Sequence, residues 1–476
     1  MLFNSAEFLL GFLPIVLIGY YLLPHRGQNA FLVLASCIFY ASWDWRFLAP
    51  LLFTTSLDYW VAGRIEASAA AGQPLSTRKK YLLLSVVSNL GLLGFFKYFN
   101  FFAESAAQLA QTLGLDIGVR TFEIVLPLAI SFYTFQALSY TIDVYRGEFH
   151  ATKSFWDFFL AVLYFPHLIA GPIQRAATLL PQIVNPRRIR RDQVQEGLHL
   201  IAWGFFKKVF IADNLAPIAD AAFADPTPTG GVTVLAVYAF TFQIYCDFSG
   251  YTDIARGLAK IMGFDFVLNF NLPYFATNPS DFWRRWHISL STWLRDYLYK
   301  PLGGNRDGSL MTHRNLLLTM VLGGLWHGAA WNFVLWGLYH GVLLVGHRLV
   351  EPALACVGRL LAPTPQLWWL IRVASMFLLT CYGWLLFRAT SLDQVVAMTA
   401  SLAQPLQGID GASMARVTWI ILPLLIVQVI QARSGELFFM KLPSIPPSMR
   451  VIGYSIMLYL TLFLGGEAQS FVYFQF

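Results

Sequence analysis

Long apolar runs recur along almost the whole chain, and they restrict it to a membrane fold. Runs close to 20 residues, such as 81–102, 122–142 and 368–387, are each long enough to cross a bilayer as a helix. Only 12% of the residues are charged, against about 25% in soluble domains. No polar stretch is long enough to build a soluble core of its own. The sequence therefore predicts a single all-α, polytopic membrane domain over residues 1–476.

The apolar runs predict about eleven to thirteen membrane segments, some of them re-entrant or interfacial. In residues 155–172 the motif FPHLIAGP interrupts an apolar run with two prolines and a glycine around His167. Broken backbone at membrane depth is tolerated only against protein or a watery cavity, so this segment is predicted to be re-entrant. The motif-bearing core is expected within residues 122–350, and residues 407–476 are expected to add helices at the C-terminal side.

The net charge of +7 does not indicate nucleic-acid binding. The basic residues lie in short loops between apolar runs, most densely at 187–191. That distribution is typical of cytoplasmic loops beside anionic lipid. We therefore predict membrane lipid as a partner and no nucleic acid. The four cysteines are far apart, which predicts small buried residues without a disulfide framework or a metal site.

Residues 277–330 form the most polar stretch within this apolar sequence. Five charged residues lie between Asp281 and Asp296, and two histidines, His287 and His327, stand on either side of a Gly-rich turn. Ionisable groups among hydrophobic helices are costly, and by default they mark a functional site. The stretch is therefore the candidate site of the chain.

The start of this stretch has the residues of a helix N-terminus. Asn278 is a good cap, and Pro279 fits the first turn because its missing N–H would be unsatisfied there in any case. A helix from Phe282 to about Tyr299 is expected to place Trp283 and His287 on one face. Such a helix is predicted to lie at the interface or to dip into the bundle around a polar cavity.

His327 lies in an apolar segment with glycines around it. These small residues permit close approach of helices or of a substrate, and they predict space for something other than protein beside His327. A desolvated imidazole stays neutral near pH 7, and a neutral imidazole can take a proton from a hydroxyl. The alternative interpretation is that His327 is a core residue and His287 a satisfied interfacial one. No GxSxG elbow is present, and the histidines lack compact metal spacing, so neither a covalent acyl-enzyme nor a metal is expected.

The motifs WRRWHISLSTWLRDYLYKPLGGNR and LWHGA, with CDFSGYTDIARGLAKIMGF and FNLPY before them, closely resemble the membrane-bound O-acyltransferases. Within that family the motifs resemble the bacterial branch that acetylates alginate and its relatives in cellulose and peptidoglycan acetylation. SFYTFQALSYTIDVYRG, FPHLIAGPI and GFFKKVFIAD extend the resemblance over most of residues 1–400.

The resemblance implies a ring of helices around a central funnel, with His327 as the catalytic histidine and His287 as the second motif histidine. Trp283, Trp286, Trp326 and Asn305 are expected to line the substrate tunnel. It also implies an acetyl thioester donor, either acetyl-CoA or an acyl carrier, as a substrate, with no bound cofactor. The expected place is the bacterial inner membrane, where a periplasmic acetyltransferase partner would pass acetyl to an exported polysaccharide such as alginate.

Three alternatives stay open at this point. The first is transfer of D-alanine to a cell-envelope polymer, which uses the same chemistry with a different acyl group. A polysaccharide transporter would use the polar segments as a pathway, although no internal repeat is visible in the sequence. A non-catalytic scaffold would only recruit a periplasmic transferase.

Overall fold

A computed structural model describes residues 1–472 apart from 116–117, 119–120, 170, 439–441 and 443–444. The described residues form helices and no β-strand. The α-helices of the first half are α1 (Leu13–Leu22), α2 (His25–Asp44), α3 (Leu48–Ala70), α4 (Leu75–Leu93), α5 (Phe99–Thr112), α6 (Ile130–Arg146), α7 (Phe155–Leu163), α8 (Phe165–Leu168), α9 (Ala176–Val184), α10 (Arg191–Phe205) and α11 (Asp213–Phe223). Those of the second half are α12 (Gly230–Ile261), α13 (Pro279–Trp283), α14 (Ile288–Leu294), α15 (Gly308–His327), α16 (Trp331–Leu360), α17 (Pro365–Arg388), α18 (Leu392–Ser401), α19 (Gly411–Ser434) and α20 (Pro447–Phe463).

Short segments of other helix types join several of these helices. π-Helical turns occupy Glu7–Phe12, Gly94–Tyr98, Phe206–Ala212 and Arg295–Tyr299, and 3-10 turns occupy Trp45–Phe47 and Pro273–Phe275. A π-turn inserts a residue into the helical repeat and changes which side chains face inward, and it often occurs at functional sites.

Six helical stretches of the described chain are long and apolar enough to cross a membrane. They are His25–Ala70, Leu75–Thr112, Gly230–Ile261, Trp331–Leu360, Pro365–Arg388 and Gly411–Ser434. The all-α, polytopic prediction is confirmed. The broken and shorter helices do not reach spanning length, so the larger predicted number of membrane segments stays a prediction.

The chain divides into two compact units. The first contains Met1–Leu198 and Ala255–Val267, and the second contains His199–Ile254 and Leu268–Phe476. Both candidate histidines belong to the second unit. α19 and α20 lie within the C-terminal region 407–476. The assignment of one functional domain to the whole chain stays a prediction.

In the first unit, the predicted break around His167 is confirmed. α7 ends at Leu163, and the four-residue α8 follows after Tyr164. His167 is buried, with its ring 5.4 Å from that of Phe266. A Cβ added to Gly171 would lie 2.3 Å from the Cα of His167, so the chain can only turn this tightly with glycine at that position. The re-entrant path of the segment stays a prediction.

Within the second unit, the CDFSGYTD motif lies inside a helix and does not end one. The sequence predicts a span over 232–248 and a separate short amphipathic helix over 254–266, but α12 continues unbroken to Ile261. That expectation was wrong because the polar residues of the motif are buried rather than interfacial. Asp247 and Ser249 are 2% and 1% exposed, and buried lysines pair with this face of the helix.

The expected continuous helix from Phe282 to Tyr299 is also wrong. The helix start is confirmed, since the Asn278 side chain accepts a 2.8 Å hydrogen bond from the Asp281 backbone N–H. However, α13 ends at Trp283, and a new helix begins only after His287. Trp283 and His287 therefore do not share one helical face.

Glycines bring the backbones of α15 and α16 into direct contact. A Cβ added to Gly324 would lie 2.2 Å from the carbonyl oxygen of Phe333, and one added to Gly337 would lie 2.3 Å from that of Met320. A Cβ on Gly328 would meet the Phe333 ring at 2.1 Å. The close approach of helices at these glycines is therefore confirmed. The expectation that they leave room beside His327 was wrong, because α16 fills that space.

The cysteines are less uniformly buried than expected. Cys246 is buried and Cys37 and Cys381 are half-buried, but Cys356 is exposed near the end of α16. The expectation was wrong for Cys356 because it lies on the outer face of a long apolar helix, where exposure does not require a polar residue.

Candidate active site

His287 lies at a strained turn between two short helices. Its φ of +42° is in the left-handed region, which is rare for residues other than glycine. The side chain is completely buried. Backbone strain of this kind persists only where contacts with the surrounding structure hold it in place. Here the segment around Asn269 provides those contacts.

Asn269 holds the His287 turn through side-chain and backbone bonds. Its Oδ1 is 3.2 Å from Nδ1 of His287 and also accepts bonds from the Ser289 N–H and hydroxyl, at 3.2 and 2.9 Å. The Asn269 carbonyl accepts a 2.9 Å bond from the N–H of Ile288. These bonds explain why the chain breaks at His287 and where its ring points.

The contact with Asn269 also assigns the protons of the His287 ring. An amide oxygen only accepts hydrogen bonds, so Nδ1 of His287 is the donor and carries the proton. Burial lowers the pKa of His287 to about 3, so the ring is neutral near pH 7. In that form Nε2 holds the lone pair, and it is the basic nitrogen of this imidazole.

His327 is the last residue of α15 and is 5% exposed. Its ring lies 5.0 Å from that of Trp336 on α16 and 5.4 Å from that of Phe387 on α17. Both contacts are edge-to-face, which is the favoured geometry for ring pairs. The imidazole is thus enclosed by aromatic side chains from two neighbouring helices.

The two histidines lie in one aromatic cluster. The ring of Trp326 is 6.1 Å from that of His287 and 5.0 Å from that of His327. Trp286 is 1% exposed and packs 4.7 Å from Trp384, in the interior of the same cluster. The structure therefore brings together residues that are 40 positions apart in the sequence.

A third histidine, His340 on α16, joins this cluster although the sequence did not single it out. It is 1% exposed, and its ring lies 4.8 Å from Trp336 and 5.1 Å from Trp283. A Cβ added to Gly383 would come within 2.9 Å of its Nε2. The only sequence signal was a buried-looking histidine in an apolar run, which by itself is more typical of a core residue.

A cleft of about 770 Å³, which we call the basic cleft, opens next to this cluster. Its polar and apolar lining residues include Trp283, Asn305, Ile288, Leu316 and Met320. Its cations are Arg284, Arg295, Lys300, Arg306 and Arg348, and none of the described residues that line it is acidic. The nearby Asp296 pairs with two of these cations, at 2.9 Å from Arg295 and 2.7 Å from Lys300. The remaining positive charge favours an anionic ligand.

The expected tunnel residues thus have two different environments. Trp283 and Asn305 line the basic cleft, and Asn305 is exposed in the predicted turn. Trp286 and Trp326 are buried in the aromatic cluster and are not among the residues that line the cleft. Within the described part of the chain, no group of three or more metal-binding side chains converges, and the expectation that the protein needs no metal stays a prediction.

Comparison with known proteins decides the family. Residues 152–387 match the model of the membrane-bound O-acyltransferase (MBOAT) family. The chain is also 46% identical over 402 residues to the probable alginate O-acetylase AlgI of Azotobacter vinelandii, covering 84% of this chain and 78% of that protein. The chain belongs to the membrane-bound O-acyltransferase family. This MBOAT protein is therefore an O-acyltransferase and a multi-pass membrane protein.

Relatives with other acceptors are also similar to this MBOAT protein. The peptidoglycan O-acetyltransferase of Helicobacter pylori is 35% identical, over 88% of this chain and 82% of its own length. The teichoic acid D-alanyltransferase of Bacillus subtilis is 31% identical, over 47% of this chain and 59% of its own length. The similarity to acetylating relatives thus extends over more of the chain than the similarity to the D-alanylating one.

Replacing Asn269 with Asp tests the state of the His287 ring in this MBOAT protein. The new carboxylate would face Nδ1 and favour the imidazolium, so it raises the pKa of His287 from about 3 toward its ordinary value. In the wild type, His287 stays neutral at pH 5.5 to 6. In the Asn269→Asp variant a large fraction of the ring becomes charged there. Acyl transfer at pH 5.5 should therefore fall several-fold relative to pH 8, because a protonated ring no longer offers a lone pair on Nε2.

The measurement is the pH profile of acyl transfer by the purified enzyme. Asn271→Asp is the matched control, since Asn271 lies two residues further on and bonds Arg285 through its backbone N–H. Profiles that coincide for wild type and Asn269→Asp would contradict the assignment of a neutral His287.

Proposed function

We propose that this protein moves an acetyl group from a thioester donor on the cytoplasmic side of the bacterial inner membrane toward the O-acetylation of an exported polysaccharide such as alginate. A periplasmic acetyltransferase is the proposed partner. The similarity to alginate O-acetylases over most of the chain supports the acetyl group and the polymer. The immediate acceptor is a hydroxyl, either on the sugar or on the partner.

A continuous series of contacts from the basic cleft to His327 supports this proposal most directly. Trp283 lines the cleft, its ring lies 5.8 Å from that of Trp336, and Trp336 lies 5.0 Å from His327. Anionic groups of a donor bound in the cleft would thus be two aromatic residues away from the candidate base. Arginine is well suited to hold such groups because its planar fork matches phosphate oxygens.

The proposed reaction is direct transfer. The imidazole of His327 takes the proton from the acceptor hydroxyl while the oxygen attacks the thioester carbonyl carbon. The new C–O bond forms, the C–S bond breaks, and the imidazolium returns the proton to the leaving thiolate. The aromatic residues around His327 exclude water, which protects the thioester from hydrolysis.

The hydrogen bonds of His287 favour a role toward the acceptor rather than toward the developing oxyanion. With its proton on Nδ1 and directed at Asn269, the neutral ring offers Nε2 as an acceptor. Such an atom can orient a hydroxyl, whereas an oxyanion needs a donor. We therefore assign His287 to the orientation of the acceptor molecule, through an O–H or N–H group other than the attacking hydroxyl, whose single proton goes to His327.

The donor carries its acetyl group as a thioester, on CoA or on a carrier, and is a substrate rather than a bound cofactor. The cations of the basic cleft suit the phosphates of either donor. D-alanyl transfer is the second candidate, because a teichoic acid D-alanyltransferase is among the relatives. A transporter or a scaffold would explain neither the enclosed imidazoles nor the cleft beside them.

The decisive experiment is acetyl transfer by the purified protein from radiolabelled acetyl-CoA, with and without the candidate periplasmic partner. Labelled polymer or labelled partner is the expected product, and labelled D-alanine presented on a carrier should not be transferred. Secretion of the polymer is measured separately in cells. Normal acetylation with impaired secretion after disruption of the gene would indicate a transporter instead.

The basic cleft provides a separate prediction. Arg348→Glu reverses a cleft charge and should raise the KM for the donor by about tenfold or more, since a charge-assisted hydrogen bond contributes about 1.5–3 kcal/mol. The kcat should change little, because His287 and His327 are packed by aromatic rings such as Phe248 and Trp336, and the role proposed for Arg348 is to bind the donor. Arg359→Glu, on the same helix but outside the cleft, is the matched control and should leave both constants unchanged. Equal KM values for Arg348→Glu and wild type would contradict a donor site in the cleft.

A further inference from the structure

The segment Leu464–Val472, which follows α20, ends in two residues that are buried inside the second unit, although its sequence carries no recognisable motif. Phe471 and Val472 are 0% and 1% exposed. The Gly466 N–H donates a 3.0 Å bond to the Val209 carbonyl, and the Leu464 carbonyl accepts a 2.8 Å bond from the side chain of Asn214. We call this stretch the distal segment.

A buried ion cluster fixes the distal segment. Lys208 lies 2.8 Å from both Asp213 and Asp247, and all three side chains are at most 3% exposed. Two carboxylates face one ammonium, so the cluster needs further hydrogen-bond donors to be satisfied. The Val472 N–H supplies one, at 2.6 Å from Asp247 Oδ2. The Gln469 carbonyl in turn accepts a 3.0 Å bond from Lys208.

Lys208 and its neighbour Lys207 both lie in the π-turn at Phe206–Ala212. Adjacent residues on a regular α-helix point in different directions, but both Lys207 and Lys208 are buried here. Lys207 pairs with Asp253 at 2.7 Å, while Lys208 pairs with Asp247, so both lysines bind acidic residues of α12. The anchor of the distal segment is therefore built into the core of the unit.

Glycines allow the distal segment to approach this core closely. A Cβ added to Gly466 would lie 2.5 Å from the backbone carbon of Asp213, and one added to Gly465 would lie 2.7 Å from a methyl group of Val209. The backbone of the segment is thus pressed against the residues that carry and flank the ion cluster.

The distal segment reaches the His287 site through the ring of Phe248. The ring of Phe471 is 5.8 Å from that of Phe248, and Phe248 is 4.7 Å from the imidazole of His287 in an edge-to-face contact. Phe471 also lies 4.8 Å from Tyr251 on the same helix. Phe248 is therefore held between the distal segment on one side and His287 on the other.

We propose that the distal segment is a positioning element of the acyltransfer site, with Phe471 holding Phe248 against the imidazole of His287. In this arrangement Asn269 fixes the Nδ1 side of the ring, and Phe248 supports its face or edge from α12. Phe471 does not touch substrate and acts only through Phe248. The inference rests on the proposed participation of His287 in acyl transfer.

The test is the steady-state kinetics of Phe471→Ala in the purified enzyme, with donor and acceptor varied separately. We expect kcat to fall by about tenfold, with the KM for the donor unchanged because the basic cleft is lined by other residues. Phe463→Ala is the matched control, since Phe463 ends α20 with 72% of its surface exposed and should behave as wild type.

Phe471→Leu keeps most of the apolar volume of the side chain but removes the flat ring. It tests the proposal if the Phe471→Ala protein does not fold. It should lower kcat by about threefold or more and again spare the donor KM. A folded Phe471→Leu protein with wild-type kcat, or a change in donor KM instead of kcat, would overturn the proposal. His287→Ala is measured alongside these variants. Full activity of His287→Ala would refute the proposed participation of His287 in acyl transfer. An inactive His287→Ala protein together with normal Phe471 variants would refute only the positioning role of Phe471.

Discussion

His327→Ala should abolish acyl transfer and leave the protein folded in the membrane. General-base catalysis contributes about 10²- to 10⁴-fold to a rate, and His327 is the imidazole enclosed by Trp336 and Phe387 at the inner end of the contacts from the basic cleft. Removing its ring also opens the aromatic enclosure to water. We therefore expect a loss at the upper end of that range.

The measurement is transfer of labelled acetyl by purified wild-type and variant proteins at equal concentration, together with polymer acetylation in cells. His347→Ala on α16 is the matched control, because this half-buried histidine lies seven residues beyond His340 and is not in a ring contact with the aromatic cluster in the described chain. Substantial acetylation by a well-expressed His327→Ala protein would remove His327 from the mechanism.

Lys208→Met should destabilise the protein strongly. The substitution leaves Asp213 and Asp247 buried without their shared cation, and removing one partner of a buried ion pair costs about 3–5 kcal/mol. Lys300→Met is the control, because Lys300 pairs with Asp296 through a side chain that is 55% exposed, and exposed pairs contribute at most about 1 kcal/mol.

The loss of stability caused by Lys208→Met should grow as the pH rises. Burial already raises the pKa of Asp213 to about 7, against the opposing effect of Lys208. A carboxyl whose pKa is raised on folding binds more protons in the folded state, so its contribution to stability falls as pH rises from about 4 through its folded pKa. Without Lys208 the pKa of Asp213 rises further. The thermal midpoint of Lys208→Met should therefore lie further below that of the wild type at pH 8 than at pH 6. Equal midpoints for wild type and Lys208→Met at pH 8 would contradict a charged cluster.

The parts of the fold that depend on local sequence were predictable. The apolar runs predicted an all-helical membrane protein, and Asn278 with Pro279 marked a helix start that the structure contains. The proline and glycine of the FPHLIAGP motif likewise marked the break near His167. In each case the deciding residues are neighbours along the chain, so their effect can be read without knowing the tertiary structure.

The parts that depend on long-range contacts were not predictable from one sequence. The break at His287 requires bonds from Asn269, 18 residues earlier, and helical periodicity alone favours an unbroken helix. The polar motif of α12 looked like the end of a span because its partner Lys208 lies 39 residues before Asp247. The distal segment looked uninformative because its role depends on contacts with residues more than 200 positions away.

The candidate site was likewise predictable only where local sequence determines it. Its two histidines were found because imidazole and charge are rare in apolar sequence, and the structure places both beside Trp326. Which nitrogen of His287 carries the proton, and which tryptophans line a cavity, depend on the fold. His340 was missed because one histidine in an apolar helix has no local feature that distinguishes it from a core residue.

The backbone contact between α15 and α16 limits how a substrate can enter. At positions 324 and 337 the two backbones touch with no side chain between them, so no side-chain rotation can open the contact at these positions. His327 lies three residues after Gly324. We therefore expect opening toward His327 to come from rotation of the rings that enclose it, Trp336 on α16 and Phe387 on α17, which separates no backbone.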